Sequence, residues 1–242
     1  MNAELSNLAD IDDEAGFRHF DLRLTEGQHE TLAKIRVNSD ATYDNFGDVG
    51  NIEAALTSFF EGQGNLLAAA REQAAVVTRI IERTIAGFGS ESAWITMRAS
   101  QPTDAFNVPR WHIDGRYYQS EGVVEQVKAV IALKGEGTLL NRLPPEKRGD
   151  FMEALGADVD EMECRRRCAE LIAPTGTEVT PPGCGTVFIV GSERAAVHSE
   201  PPITCERLFL SILPGTKEQI EELRQNWGYA KKAKINAWEN TP

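Results

Sequence analysis

The chain has 242 residues, enough to bury one sizeable core, and carries 37 acidic against 25 basic side chains for a formal net charge of −12. That balance argues against a grip on nucleic acid or on anionic membranes, which needs clustered cationic surface. There is no basic-then-apolar leader and no run approaching the roughly eighteen apolar residues that cross a bilayer, so the expected setting is the cytoplasm.

Residues 1–16 are acidic with little to bury and read as a loosely held leader. Phe17 to Leu24 alternates well enough for an edge strand, and Thr25-Glu26-Gly27-Gln28 reads as a helix start before a short helix from Glu30 to Arg36. A second helix is expected from Asn51 to Glu61 and a long one from Leu66 to Ile85. In the long one Leu67, Ala70, Ala74, Val77, Ile81 and Ile85 recur at three- and four-residue intervals, the stripe of a helix packed on a core. Strands are expected over Ser92–Arg98, Val127–Leu133, the run Gly185–Gly191 and Arg207–Leu213.

Short strands separated by Gly- and Pro-bearing turns fit a double-sheet jelly roll, which leaves a polar site at one mouth of an apolar barrel. Two helices interrupt it, Pro144 to Ala157 and Asp158 to Ala173, the first opened by Pro144-Pro145 and broken at Gly156. A last helix runs from Thr216 to Lys234, with Glu218 and Glu221 early and Lys231, Lys232 and Lys234 at its end, the charge order that suits a helix dipole. Its face of Ile220, Leu223 and Trp227 docks either on the barrel or on a second subunit, so a homodimer stays open. The expected fold class is α+β: a double-stranded β-helix (jelly-roll) core over 91–215 with a helical insert at 144–173, an N-terminal helical segment over 1–90 and a C-terminal helix over 216–242, in one structural domain. The four cysteines, Cys164, Cys168, Cys184 and Cys205, suit reduced thiols, and Cys164 with Cys168 reads as a pair of buried or half-buried helix residues without the partners a zinc site needs.

Only four histidines occur, and two of them complete a ligand pattern. In Trp111-His112-Ile113-Asp114-Gly115 an extended backbone turns His112 and Asp114 to the same side while Ile113 faces the other way, so one strand end offers two ligands. The third is His198, which follows the apolar run at Thr186–Val190 and sits at the mouth of the next strand. Two histidines and one carboxylate on one face are the ligand set of non-haem Fe(II) oxygenases. Arg207 lies nine residues after His198 inside an apolar strand, where a guanidinium needs an anionic partner.

With these residues in this order the chain resembles the Fe(II)/2-oxoglutarate-dependent dioxygenase superfamily, whose pattern is His-x-Asp, a distal His, then Arg or Lys about ten residues on. The likeness covers roughly residues 92–215. It implies Fe(II) on His112, Asp114 and His198, with 2-oxoglutarate and dioxygen as cosubstrates and Arg207 pairing with the far carboxylate of 2-oxoglutarate. It also implies that Thr138, 24 residues after Asp114 at the end of the turn Lys134-Gly135-Glu136-Gly137, helps to hold that carboxylate; read from residues alone, the turn is equally a hairpin. The plant-type Arg-x-Ser signature is absent, since Phe209 stands where the Ser would be, and Ser211, one step further along the same strand face, is the candidate substitute. Halogenases of the superfamily replace the carboxylate ligand by Gly or Ala, so the retained Asp114 favours hydroxylation or a related desaturation or ring closure. The expected substrate is a small polar metabolite such as an amino acid or a peptide-like intermediate, with Arg98, Arg110, Arg116, Tyr117 and Tyr118 flanking the site as candidate contacts. Two alternatives differ from this reading. A cupin-type metal oxygenase without 2-oxoglutarate would need a further His, and His19 and His29 lie in the leader; a non-enzymatic jelly-roll binding protein would leave the three ligands apart.

Overall fold

The structure is a computed structural model that describes residues 7–119 and 125–228. Six antiparallel strands form the larger sheet: β1 (Phe17–Asp21), β2 (Ala41–Gly47), β3 (Ser92–Ser100), β4 (Gln126–Lys134), β7 (Cys184–Val190) and β9 (Arg207–Gly215), in the order β1-β7-β4-β9-β3-β2. Both edge strands thus come from the first fifty residues. A second sheet of three short strands, β5 (Leu139–Asn141), β6 (Thr177–Val179) and β8 (Val197–Ser199), is ordered β6-β5-β8.

The pleat of the large sheet separates two environments, because successive side chains point to opposite faces. On β3, β4 and β9 the residues Ile95, Met97, Ala129, Ile131, Leu208, Leu210 and Ile212 enter one core with the helices α1 (Glu26–Ala33), α2 (Ile52–Gly62) and α3 (Leu67–Gly87). Their alternates, Trp94, Thr96, Arg98, Lys128, Val130, Phe209, Ser211 and Leu213, face the small sheet and line a cavity. Between the sheets, Phe17, Val130, Leu140, Phe188, Val190 and Ala196 close one end of the interior with apolar packing.

The helix α1 starts earlier than the expected Glu30, directly after Thr25. The Thr25 hydroxyl accepts from the Gln28 N–H and the Gln28 side chain accepts from the Thr25 N–H, a reciprocal cap that satisfies two otherwise orphan donors. Strand β2 was not expected. Its Asp44 and Asn45 are residue types depleted in strands, and they are tolerated because β2 is an edge strand pairing only with β3. The expected helices at 144–173 are α4 (Pro145–Leu155) and α5 (Glu161–Ile172), and they pack with Phe151, Cys168 and Ile172 against Trp111, Leu139, Leu143 and Val197. Neither contributes a lining residue to the cavity, so they brace the small sheet from behind. After Thr216, whose capping box with Gln219 repeats the device of α1, comes α6 (Lys217–Leu223), followed by a π-helical stretch over Arg224–Gly228. Ile220 and Leu223 dock on Leu213 and Tyr118 of the same chain. The Trp227 side chain and Lys231, Lys232 and Lys234 lie outside the described residues. The four cysteines are free, and no helix among the described residues is long and apolar enough to cross a membrane.

Leu210 is fully buried between β9 and the helices. Leu210→Ala should lower unfolding free energy by about 2–5 kcal/mol, seen as a lower urea midpoint at unchanged slope.

Candidate metal centre

His112 belongs to no strand, yet it makes one bridge to β8. Its N–H donates to the His198 carbonyl at 2.9 Å and the His198 N–H donates back at 3.0 Å. Such a reciprocal pair sets two residues directly opposite with side chains on one face, and the imidazole centroids are 4.3 Å apart. Asp114 is two residues on and returns to that face, its carbonyl anchored by the Gly191 N–H at 2.9 Å. The intervening Trp111, Ile113 and Val197 point the other way, into the core shared with α4 and α5. The ligand face and the apolar face therefore follow from one alternation.

Both imidazoles are preset. Nδ1 of His112 lies 2.7 Å from the Arg110 carbonyl and Nδ1 of His198 lies 3.0 Å from the Ala196 carbonyl. A carbonyl only accepts, so each Nδ1 carries the hydrogen and each Nε2 offers its lone pair. The two Nε2 atoms stand 3.7 and 3.8 Å from Asp114 Oδ1, and the three ligating atoms lie within 4.8 Å of one another. An ion at the centre of such a triangle is at most about 2.4 Å from each atom, close to the usual distances of about 2.0–2.2 Å for nitrogen and oxygen ligands. The donor set thus fits a divalent transition metal.

The other carboxylate oxygen is already committed. Asp114 Oδ2 accepts from Lys128 Nζ at 2.8 Å and from the Tyr117 hydroxyl at 2.9 Å, and Lys128 also reaches that hydroxyl at 3.0 Å. Burial alone would raise the Asp114 carboxyl, but Lys128, then His198 and His112, overturn that and hold it well below the ordinary carboxylate range. Lys128 stays cationic for the same reason: burial would discharge it, and Asp114 prevents this. Lys128 was not singled out from the sequence. Its signal was there, since a lone lysine in Val127-Lys128-Ala129-Val130-Ile131 sits in a run that reads as buried on both faces, where a charge needs a partner.

Arg207 opens β9 on the cavity face. Its Nε donates to the Glu136 carbonyl at 3.0 Å, and its guanidinium lies 4.6 Å over the Phe209 ring. It is 5% exposed and makes no ion pair with a carboxylate among the described residues. Burial pushes it down to about 10, which leaves it charged at neutral pH. The glycine turn wraps this residue for a steric reason. Gly135 has φ +80° and sits where a Cβ would come 2.9 Å from the Glu206 carbonyl, and a Cβ at Gly137 would come 2.3 Å from the Thr180 carbonyl. Thr138 and Ser211 both line the same cavity of about 150 Å³ as the three ligands.

The flanking candidates separate. Arg98 and Arg110 line the cavity, and Arg110 is paired with Glu200 at 2.6 Å. Tyr117 lines it too, with its hydroxyl spent on Asp114. Arg116 and Tyr118 lie outside it. Arg116 is exposed with its backbone pressed on Gly191, and Tyr118 is buried against α6, its hydroxyl donating to the Pro214 carbonyl at 3.0 Å.

No family model and no curated protein matches the sequence. Among solved structures, a dioxygenase for auxin oxidation from rice matches over 88% of this chain and 78% of its own, with a TM-score of 0.50 at 12% identity. A prolyl-4-hydroxylase from Pseudomonas putida matches over 86% and 98%, with a TM-score of 0.38 at 17% identity. HygX from Streptomyces hygroscopicus, solved with nickel and 2-oxoglutarate, matches over 83% of each chain, with a TM-score of 0.41 at 11% identity. Neighbours of this chain include oxygenases of the Fe(II)/2-oxoglutarate kind, the group that the ligand pattern resembles, and at 12% identity what the chain shares with the rice enzyme is the mixed helix and antiparallel-sheet fold.

His198 gives the metal-free protein a measurable pH dependence. Burial, reinforced by His112, pushes its imidazole down from 6.5 to about 4, so the folded ring is neutral where the unfolded ring takes a proton. The stability that this ring contributes is complete above pH 6.5 and is lost as the pH falls toward 4. Urea unfolding of metal-free protein at pH 7 and pH 5 should differ by roughly 2 kcal/mol on this account. A His198→Gln variant should lose that part of the difference.

Proposed function

We propose that the protein is a non-haem Fe(II)- and 2-oxoglutarate-dependent oxygenase with a double-stranded β-helix core, hydroxylating a small polar metabolite such as an amino acid or a peptide-like intermediate. The observation that carries this reading is the pairing, in one cavity, of a three-ligand face with a buried arginine that makes no ion pair with a carboxylate among the described residues. A metal oxygenase without an anionic cosubstrate has no use for that charge. Among the described residues the ligand cluster is limited to His112, Asp114 and His198, which disfavours a cupin-type set with a further histidine.

In this reading His112, Asp114 and His198 hold Fe(II), and Arg207, helped by Thr138 and Ser211, holds the far carboxylate of 2-oxoglutarate. Bound together with dioxygen, iron and 2-oxoglutarate supply an oxidant able to take hydrogen from an unactivated C–H bond, with succinate and carbon dioxide as the coproducts. The chain supplies placement. The Arg110 and Ala196 carbonyls keep both imidazoles in the ligating tautomer, and Lys128 with Tyr117 reserves Asp114 Oδ2 so that Oδ1 alone turns to the ion. Arg207 offers a rigid fork that suits a carboxylate better than an ammonium does. Phe188, its ring 4.5 Å from that of His198, and Val130 keep the inner wall dry.

Succinate formation against 2-oxoglutarate concentration tests the assignment. Arg207→Ala should raise the half-saturating concentration at least tenfold, equivalent to about 1.4 kcal/mol, while iron affinity changes far less. Arg207→Lys should recover part of the loss as a point charge without the fork. Superimposable curves for the three proteins would remove Arg207 from the cosubstrate site. Separately, Asp114→Ala should abolish succinate formation and, by stripping Lys128 of its buried partner, also lower the urea midpoint; retained turnover in protein that is still folded would take Asp114 out of the ligand set.

A further inference from the structure

We propose that the substrate is a small carboxylate with an apolar body, and that Arg98 is the residue that receives its charge. The inference rests on the reading above, in which Fe(II) and 2-oxoglutarate load the cavity and Arg207 is taken by the cosubstrate.

The first observation is a charge imbalance. Arg98, Arg110, Lys128 and Arg207 line the cavity against the carboxylates Asp114 and Glu200, an excess of two positive charges. Fe(II) and dianionic 2-oxoglutarate cancel each other, so loading the site leaves the excess in place. Lys128 is held by Asp114 and Arg110 by Glu200. Arg98 has no hydrogen bond or ion pair among the described residues, and it is not a buried group that needs one for folding.

The second observation is placement. On the β3–β9 ladder Arg98 stands opposite Phe209 and Ser100 stands opposite Arg207, so Arg98 and Arg207 are diagonal neighbours on the cavity face. Two guanidinium groups side by side repel each other, and neither makes an ion pair with a carboxylate among the described residues. Arg98 is exposed, so it stays charged without a partner, and beside Arg207 it gains when an anion arrives. Toward the other end of the same face lies Trp94, whose indole N–H donates to Asp44 at 3.1 Å and whose ring stacks on Phe46 at 5.2 Å and 12°. Trp94, Val130 and Leu213 give the cavity a fixed apolar wall beyond the arginine. A carboxylate at Arg98 with an apolar body along that wall uses both features, and a neutral polar molecule uses neither.

The test is calorimetric titration under anaerobic conditions of protein loaded with Fe(II) and saturating 2-oxoglutarate. The probes are hexanoate, 3-phenylpropionate and N-acetylphenylalanine, each against its neutral primary amide. At least one carboxylate should bind about tenfold or more tightly than its amide, as expected for a charge-assisted pair. The preference should collapse in Arg98→Gln and return in part in Arg98→Lys. An absent preference across the panel, or one that survives in Arg98→Gln, overturns the proposal. The affinity of Arg98→Gln for 2-oxoglutarate, followed by the visible band of the iron chelate, should stay within twofold of wild type. A tenfold loss there would place Arg98 in the cosubstrate site and overturn the proposal in that way. Failure of the underlying reading is distinct: wild-type protein would then bind no 2-oxoglutarate before any probe is added.

Discussion

The reciprocal backbone hydrogen bonds between His112 and His198 are the constraint on which the site depends. Among the described residues they are the one bridge of the segment that carries His112 and Asp114, and with the Gly191 N–H bond to the Asp114 carbonyl they set which way the side chains from Trp111 to Asp114 point. A slip of one residue would turn Ile113 toward the cavity and the ligands into the core of α4 and α5, which is why the apolar Trp111, Ile113 and Val197 specify the site as firmly as the ligands do. The helical insert serves this constraint. Here α4 and α5 give the short sheet a core that strands of three residues could not provide for themselves.

Much of this was legible in the sequence, and the reason is periodicity. The stripe of α3, the apolar run of β7 and the period-two spacing of His112 and Asp114 are each local signals that the fold leaves intact. What was illegible was set by partners distant in sequence. Strand β2 is polar and becomes a strand because β3 offers it an edge, and β6 is three residues long and pairs only with β5. Tyr117 and Tyr118 are adjacent and look equivalent in sequence. Only the packing of α6 shows that one hydroxyl serves Asp114 and the other the Pro214 carbonyl.

Lys128 illustrates the same limit from the side of energetics. An isolated ammonium on the interior face of a central strand would be prohibitively costly, and an isolated carboxylate at Asp114 nearly as costly. Each is tolerable because of the other, with Tyr117 completing the hydrogen-bond set at distances of 2.8–3.0 Å. The sequence separation of fourteen residues gives no hint of the pair.

That pairing also bears on how the centre can exist without its ion. A three-ligand site built from one carboxylate and two neutral imidazoles would otherwise keep a bare buried negative charge until metal arrives, and the fold would have to bear it. With Lys128 on Oδ2 the charge is balanced beforehand and the carboxylate is already turned, so metal binding at Oδ1 need not displace the lysine. The same ammonium then stands close to the bound cation and opposes it electrostatically. The arrangement therefore exchanges some metal affinity for a site that is folded and oriented in advance.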